Sequence, residues 1–235
     1  MYIKQEVSNT IIIEKSRFIA YLKPVFSEEE YKEYLKELRK KYHDATHICS
    51  ALICGNIKRS SDDKEPSGTA GVPILNVLEK ANLDNTCCMV VRYFGGIKLG
   101  AGGLLRAYSS AASEALKNAI VVEDIKYPKY QIELNYDLAN KFEASLLKDI
   151  YKLEKEYDEK VTLTFVLKDE KTLEKIQELT KGIEPSLVGE EIIQKVIKWL
   201  YETTKYSYWI FYLFVYCNIY NSGYSFTCGN FQNIR

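Results

Sequence analysis

Two glycine-bearing segments hold most of the side chains whose types and spacing suggest chemistry. The first runs Asp62-Asp63-Lys64-Glu65-Pro66-Ser67-Gly68-Thr69-Ala70-Gly71-Val72-Pro73. The second runs from Arg92-Tyr93-Phe94-Gly95-Gly96 through Ile97-Lys98-Leu99-Gly100-Ala101-Gly102-Gly103 to Arg106 and Ser109. Seven of the chain's twelve glycines fall in these segments. Glycine is favoured where the backbone takes φ > 0 or comes close to another group. The second segment leads into a predicted helix, whose free N–H groups and dipole attract an anion. Lys98, Arg106 and the strand-end Arg92 can add positive charge, and Gly95, Gly96, Gly102 and Gly103 would let the backbone approach a ligand. Ser67, Gly68 and Thr69 would form the opposite rim. Neither segment has the P-loop pattern or Gly-x-Gly-x-x-Gly. A tight strand-to-helix turn that needs glycine for packing explains the second segment equally well.

Asp62, Asp63 and Glu65 bunch three carboxylates on one loop. Such a group can bind a metal or move protons, so a hydrolase or phosphoryl-transfer enzyme is the alternative reading. Spacing on a loop does not fix how far apart the carboxylates stand, and most such runs are solvated turns. Ser67 and Thr69 lack the setting of a nucleophile elbow. His43, His47 and Cys49 invite a metal reading, yet a helix ends and a strand begins between them. A hydrogen-bonded histidine at a strand entry is the expectation there. No metal and no cofactor are expected.

The elements that must position these groups follow from periodicity. Two short strands, Lys4–Val7 and Thr10–Glu14, are predicted with a turn at Ser8-Asn9, then a strand over Ser16–Lys23. Ser27 and Glu30 form a capping box opening a helix to about Tyr42, with Tyr31, Tyr34, Leu35 and Leu38 on its buried face. A strand over His47–Cys54 and a long loop over Lys58–Gly71 come next. A helix from Pro73 to Asn82, a buried strand over Thr86–Tyr93 and a helix over Gly103–Ala119 complete this part, with a strand over Ile120–Ile125. After an expected break at Lys126-Tyr127-Pro128-Lys129, the pattern reads β-α-β-β-α-β. It has a strand from Tyr130, a helix capped by Asp137, a hairpin about Asp158-Glu159, a helix over Asp169–Lys181 and a strand over Ser186–Ile193. That order suggests a ferredoxin-like domain. Three spans result: 1–127, 128–193 and an atypical aromatic tail over 194–235.

Net charge is zero, with 32 basic and 32 acidic residues, so any nucleic-acid contact must use a local patch rather than a basic coat. The N-terminus has no apolar signal region, so six scattered cysteines read as reduced thiols in a cytoplasmic protein. Cys87 and Cys88 are neighbours on one predicted strand, where they point to opposite faces. Tyr206–Ile234 carries no charge, but its most apolar run, Tyr208–Tyr220, is shorter than the roughly twenty residues of a membrane span. No membrane is expected. The tail reads as a packed or interfacial appendage, or as a stretch foreign to the rest of the chain.

Residues Asp62–Leu75 and Val90–Ser109 closely resemble the signature of the YigZ/IMPACT family. The resemblance covers about residues 1 to 125, and the part up to Glu191 resembles the C-terminal domain of bacterial members. Lys64 stands where the family usually has glycine, which puts the turn there in question. The resemblance implies an α+β protein. Its N-terminal domain would be similar to the second domain of a ribosomal small-subunit protein and to domain IV of elongation factor G. Its ferredoxin-like C-terminal domain would be similar to domain V of that factor. Eukaryotic relatives regulate translation by competing for the activator of an amino-acid-starvation kinase. The implied partners are RNA, the ribosome or a translation-control protein, and the implied role is a translation-associated regulator.

Overall fold

Residues 1–197 are described by a computed structural model. The chain opens with β1 (Tyr2–Ile3), β2 (Val7–Ile13) and β3 (Ser16–Pro24). The expected turn at Ser8-Asn9 is not there. Both residues lie inside β2, opposite Tyr21 and Ala20. The chain turns instead at Glu14-Lys15, with φ of 45° and 62°, because a two-residue hairpin turn of the favoured hand needs positive φ at both positions. Helix α1 (Glu28–Lys41) starts as predicted. Ser27 Oγ accepts from the Glu30 N–H at 3.2 Å, and the Glu30 carboxylate accepts from Phe26 N–H at 2.8 Å.

Strand β4 (His47–Cys54) has the predicted bounds. Strand β5 (Ile57–Ser61) takes the first part of what the sequence suggested was loop. It is a sheet edge, so Lys58 and Arg59 stay in water while the backbone pairs on one side only. Helix α2 (Gly71–Lys80), strand β6 (Thr86–Tyr93) and helix α3 (Gly100–Lys117) follow. The sheet order is β2-β3-β6-β4-β5. Central β6 is buried on both faces, which is why it reads as an unbroken apolar run. Tyr31, Tyr34 and Leu38 of α1 pack with Leu52, Cys87, Met89 and Val91 on one face. On the other, Tyr108 of α3 lies edge-on to Phe18, ring centroids 5.3 Å apart.

Strand β7 (Val121–Leu134) runs straight through the expected break. Pro128 lies opposite Glu190, and it falls in a gap on β7's other side, where β1 pairs only with Val121 and Val122 and β9 only from Lys129 onward. A proline with no partner on that side interrupts little. The rest is α4 (Tyr136–Leu146), β8 (Ile150–Tyr157), β9 (Val161–Leu167), α5 (Thr172–Leu179) and β10 (Ser186–Ile197). Helix α4 is capped by Asn135, whose Oδ1 accepts from Leu138 N–H at 2.9 Å, and not by Asp137. The predicted β-α-β-β-α-β order is present, with antiparallel strands in the order β10-β7-β9-β8. Strand β1 also pairs with the start of β7. Ile132, Phe142, Leu163, Phe165 and Ile176 build this second core.

The whole is a mixed α/β, two-domain protein. No helix of the described residues is long and apolar enough to cross a membrane. The expected tail over 194–235 starts too early, because residues 194–197 continue β10 against the start of β7; the rest of it lies outside the described residues.

Candidate nucleic-acid interface

Asp62 is tied down by the loop it begins. Its Oδ1 accepts from Ala70 and Gly71 N–H at 2.9 and 2.8 Å, and its Oδ2 from Gly68 N–H at 2.8 Å. The cap position of α2 is Ala70, which has no side chain to offer. Asp62 supplies the missing anion from a distance in sequence. Burial raises its pKa, but the three N–H bonds outweigh burial and hold the carboxyl below its usual range. A depressed folded pKa means stability present above the unfolded value and lost as pH falls through the folded one. Asp62→Ala should therefore cost about 1–2 kcal/mol at neutral pH. The difference from the parent should shrink toward zero in acid, as read by denaturant titration at both pH values.

The next residues stitch the loop to β4. Asp63 Oδ2 accepts from Ile48 N–H at 2.7 Å, Arg39 lies 3.4 Å from Oδ1, and His47 Nδ1 lies 2.8 Å from the Asp63 carbonyl. This is the hydrogen-bonded strand-entry histidine that the sequence suggested. Among the described residues, no three of His, Cys, Asp and Glu are placed to hold a metal ion. Lys64 takes φ of 71°, a left-handed conformation that glycine adopts freely and lysine only at a cost.

Glu65 joins the two segments. It is 8% exposed and forms an ion pair with Arg92. The Tyr108 hydroxyl donates to the same oxygen at 2.8 Å, and His47 Nε2 stands 3.8 Å from it. The Arg92 guanidinium sits between the rings of Phe18 and Phe94, 5.4 and 5.6 Å from their centroids. Its Nε has no partner among the described residues. The Cys49 thiol reaches the Tyr108 oxygen at 3.3 Å. Burial pushes Cys49 up to about 12 and the Tyr108 phenol far above its ordinary value. Neither provides an anionic nucleophile near neutral pH.

The segments thus meet through a buried clamp, with Glu65 from one and Arg92 and Tyr108 from the other. Arg92, at 5% exposure, is enclosed in that clamp rather than presented to solvent. Thr69 is also buried, its hydroxyl donating to the Pro66 carbonyl at 2.6 Å. Lys98, Arg106, Ser67, Gly96 and Gly102 are exposed, and Gly68, Gly95 and Gly103 are half-buried. Phe94, Ile97 and Leu105 are partly exposed around the same stretch. Gly96 and Gly100 have φ of 85° and 69°, so they serve the turn. Gly95 serves close packing, since a Cβ there would stand 2.1 Å from the Lys15 carbonyl carbon. At α3, Leu99 makes no side-chain cap bond. The Arg106 guanidinium reaches back to within 3.8 Å of where a Gly102 Cβ would be. A cation therefore lies over the positive end of a helix, where the dipole disfavours it. Neither Arg106 nor Lys98 has an acidic partner among the described residues.

Sequence reasoning singled out Asp62 and Glu65 as carboxylates of one loop and Arg92 as a cation beside the glycines. It missed that Glu65 and Arg92 form one buried unit with Tyr108. Glutamate in an otherwise solvated loop gave no sign of burial. The one available signal was an arginine directly after the apolar run Cys87–Val91 of a buried strand, which requires a counter-charge.

An α/β protein with a loop clamped over its central strand is the class that this geometry defines. Comparison with known proteins is specific. The Impact N-terminal domain matches residues 14–116. The chain is 40% identical over 209 residues to IMPACT family member YvyE of Bacillus subtilis, covering 86% of this chain and 96% of that protein. It is 36% identical over 139 residues to IMPACT family member YigZ of Escherichia coli, covering 57% and 68%. A solved structure, described as that of a hypothetical protein, superposes with a TM-score of 0.51 at 28% identity, covering 84% of this chain and 96% of that one. The chain belongs to the IMPACT family.

Proposed function

We propose that the protein is a cytoplasmic, translation-associated regulator that binds RNA, free or in the ribosome, on the surface where α3 begins. One observation carries this reading. Arg106 is folded back over the uncapped first turn of α3, with Lys98 exposed just before it. Two unpaired cations at a helix N-terminus cost the fold stability, and an anion there removes the cost. Partly exposed Phe94 beside them suits stacking on a base, and Ile97 and Leu105 add apolar surface for its edge. Ser67 belongs to the rim of this surface. Arg92 supports it from beneath, through Glu65 and Phe94. The implied likeness to ribosomal and elongation-factor domains points the same way by analogy of fold.

The acidic-loop hydrolase has no observation in its favour, because Asp62, Asp63 and Glu65 each bind groups of the protein itself. The test is RNA affinity across salt for the parent and for Lys98→Ala/Arg106→Ala. The double variant should bind more weakly and with a shallower salt dependence. A partner captured equally by both proteins after nuclease treatment would favour a translation-control protein instead.

A further inference from the structure

Strand β2 is the outer edge of the first sheet, and it differs from the other long edges. Strand β5 carries Lys58 and Arg59. Strand β8 carries Lys152, Glu154, Lys155 and Glu156 and has a register irregularity, and β10 carries Glu190, Glu191 and Lys195 and has another. Charges and bulges of this kind keep an edge from recruiting further strands. The seven residues of β2, Val-Ser-Asn-Thr-Ile-Ile-Ile, have no charge, no proline and an unbroken register against β3. Its Ile12 is 72% exposed, more than any other large apolar side chain among the described residues.

The hydrogen-bond polarity of this edge follows from its turn. Ile13 and Ser16 flank the two-residue turn and pair across it. Bonded pairs then alternate along the ladder. Val7, Asn9, Ile11 and Ile13 spend their N–H and C=O groups on β3, so Ser8, Thr10 and Ile12 direct theirs outward. No backbone partner for those outward groups occurs among the described residues.

We infer that β2 pairs, antiparallel, with β2 of a second copy of this chain, joining two sheets into one across a twofold axis. A twofold perpendicular to the sheet keeps each face on its own side, so even-numbered residues must meet even-numbered ones. Charge then selects the register. Thr10 opposite its own counterpart would set Glu6 against Glu14 of the second copy. A shift in one sense sets Glu6 against Ile12. The shift in the other sense places Ile11 on the axis and Thr10 beside Ile12 of the second copy, with Ser8 reaching the turn that begins at Glu14 and no like charges opposed. That register covers the exposed Ile12 of both copies.

The test measures the mass of the full chain in solution together with amide exchange along β2. The expected result is a dimer in which the Ser8, Thr10 and Ile12 amides exchange slowly. Ile12→Lys should halve the mass and restore fast exchange at those three amides while leaving Asn9 and Ile11 protected. Thr10→Pro removes an N–H that β3 does not use and should act likewise, which guards against a folding defect in either variant. A monomeric parent would overturn the inference. So would a dimer that survives both variants, or slow exchange at the three amides in a monomer.

Discussion

Glu65→Ala should be the most damaging single change in the glycine-rich segments, costing about 3–5 kcal/mol of stability. The carboxylate is 8% exposed and its acceptor oxygen serves Arg92 and Tyr108 together. Its loss strands the Arg92 guanidinium between two aromatic rings with no counter-charge. The pair itself is not expected to be worth that much. Desolvating both ions offsets most of their attraction, so Glu65→Leu combined with Arg92→Met should recover most of the loss. Urea denaturation of the single and double variants separates the two statements. A single variant as stable as the parent would mean that Glu65 is not buried as described.

Gly95→Ala should come second, at the upper end of the roughly 1–3 kcal/mol of overpacking or beyond it. The new Cβ would lie 2.1 Å from the Lys15 carbonyl carbon, 2.2 Å from its oxygen and 2.4 Å from Ser16 N. Those are backbone atoms of the hairpin turn, and no side chain can swing aside to make room. Neighbouring Gly102 provides the control. Only the tip of Arg106 comes within 4 Å of a Cβ there, and Gly102 lies inside α3, so Gly102→Ala should hold or raise the melting temperature, alanine being the better helix former. Equal melting temperatures for both variants would contradict the close approach of the Gly95 loop to the hairpin.

The contrast between these glycines shows what could be read in advance. Strands β4 and β6 were legible to the residue, because a run such as Thr86–Tyr93 is apolar enough to be buried on both faces. Helix α1 was legible from Ser27, Glu30 and its tyrosine stripe. The first hairpin was not. Ser8-Asn9 is better turn chemistry than Glu14-Lys15, yet pairing of all seven β2 residues with β3 outweighs two left-handed residues. The interruption at Pro128 was misread for a similar reason. A proline is tolerated where one flank of a strand is unpaired, as between the β1 and β9 pairings of β7.

At the site, the sequence located the right segments but could not assign each residue an inward or outward role. Glu65, Arg92 and Tyr108 meet only because β6 and α3 bring residues 27 and 43 positions away to one loop. Nothing local to Arg92 says that its partner lies in Asp62–Pro73. Lys98 and Arg106 carry the same formal charge as Arg92 and differ only in being left outside. The three cations proposed for one surface therefore divide into one that holds the segments together and two that are free to meet a ligand.

The binding of single-stranded RNA as a function of salt tests that division most directly. Each phosphate contact on a single strand contributes about 0.7 to the log–log slope. Lys98→Ala/Arg106→Ala should therefore lower affinity and make the slope shallower by about 1.4, with the fold intact because both side chains are exposed. An unchanged affinity and an unchanged slope in the folded double variant would contradict the assignment of this surface to RNA.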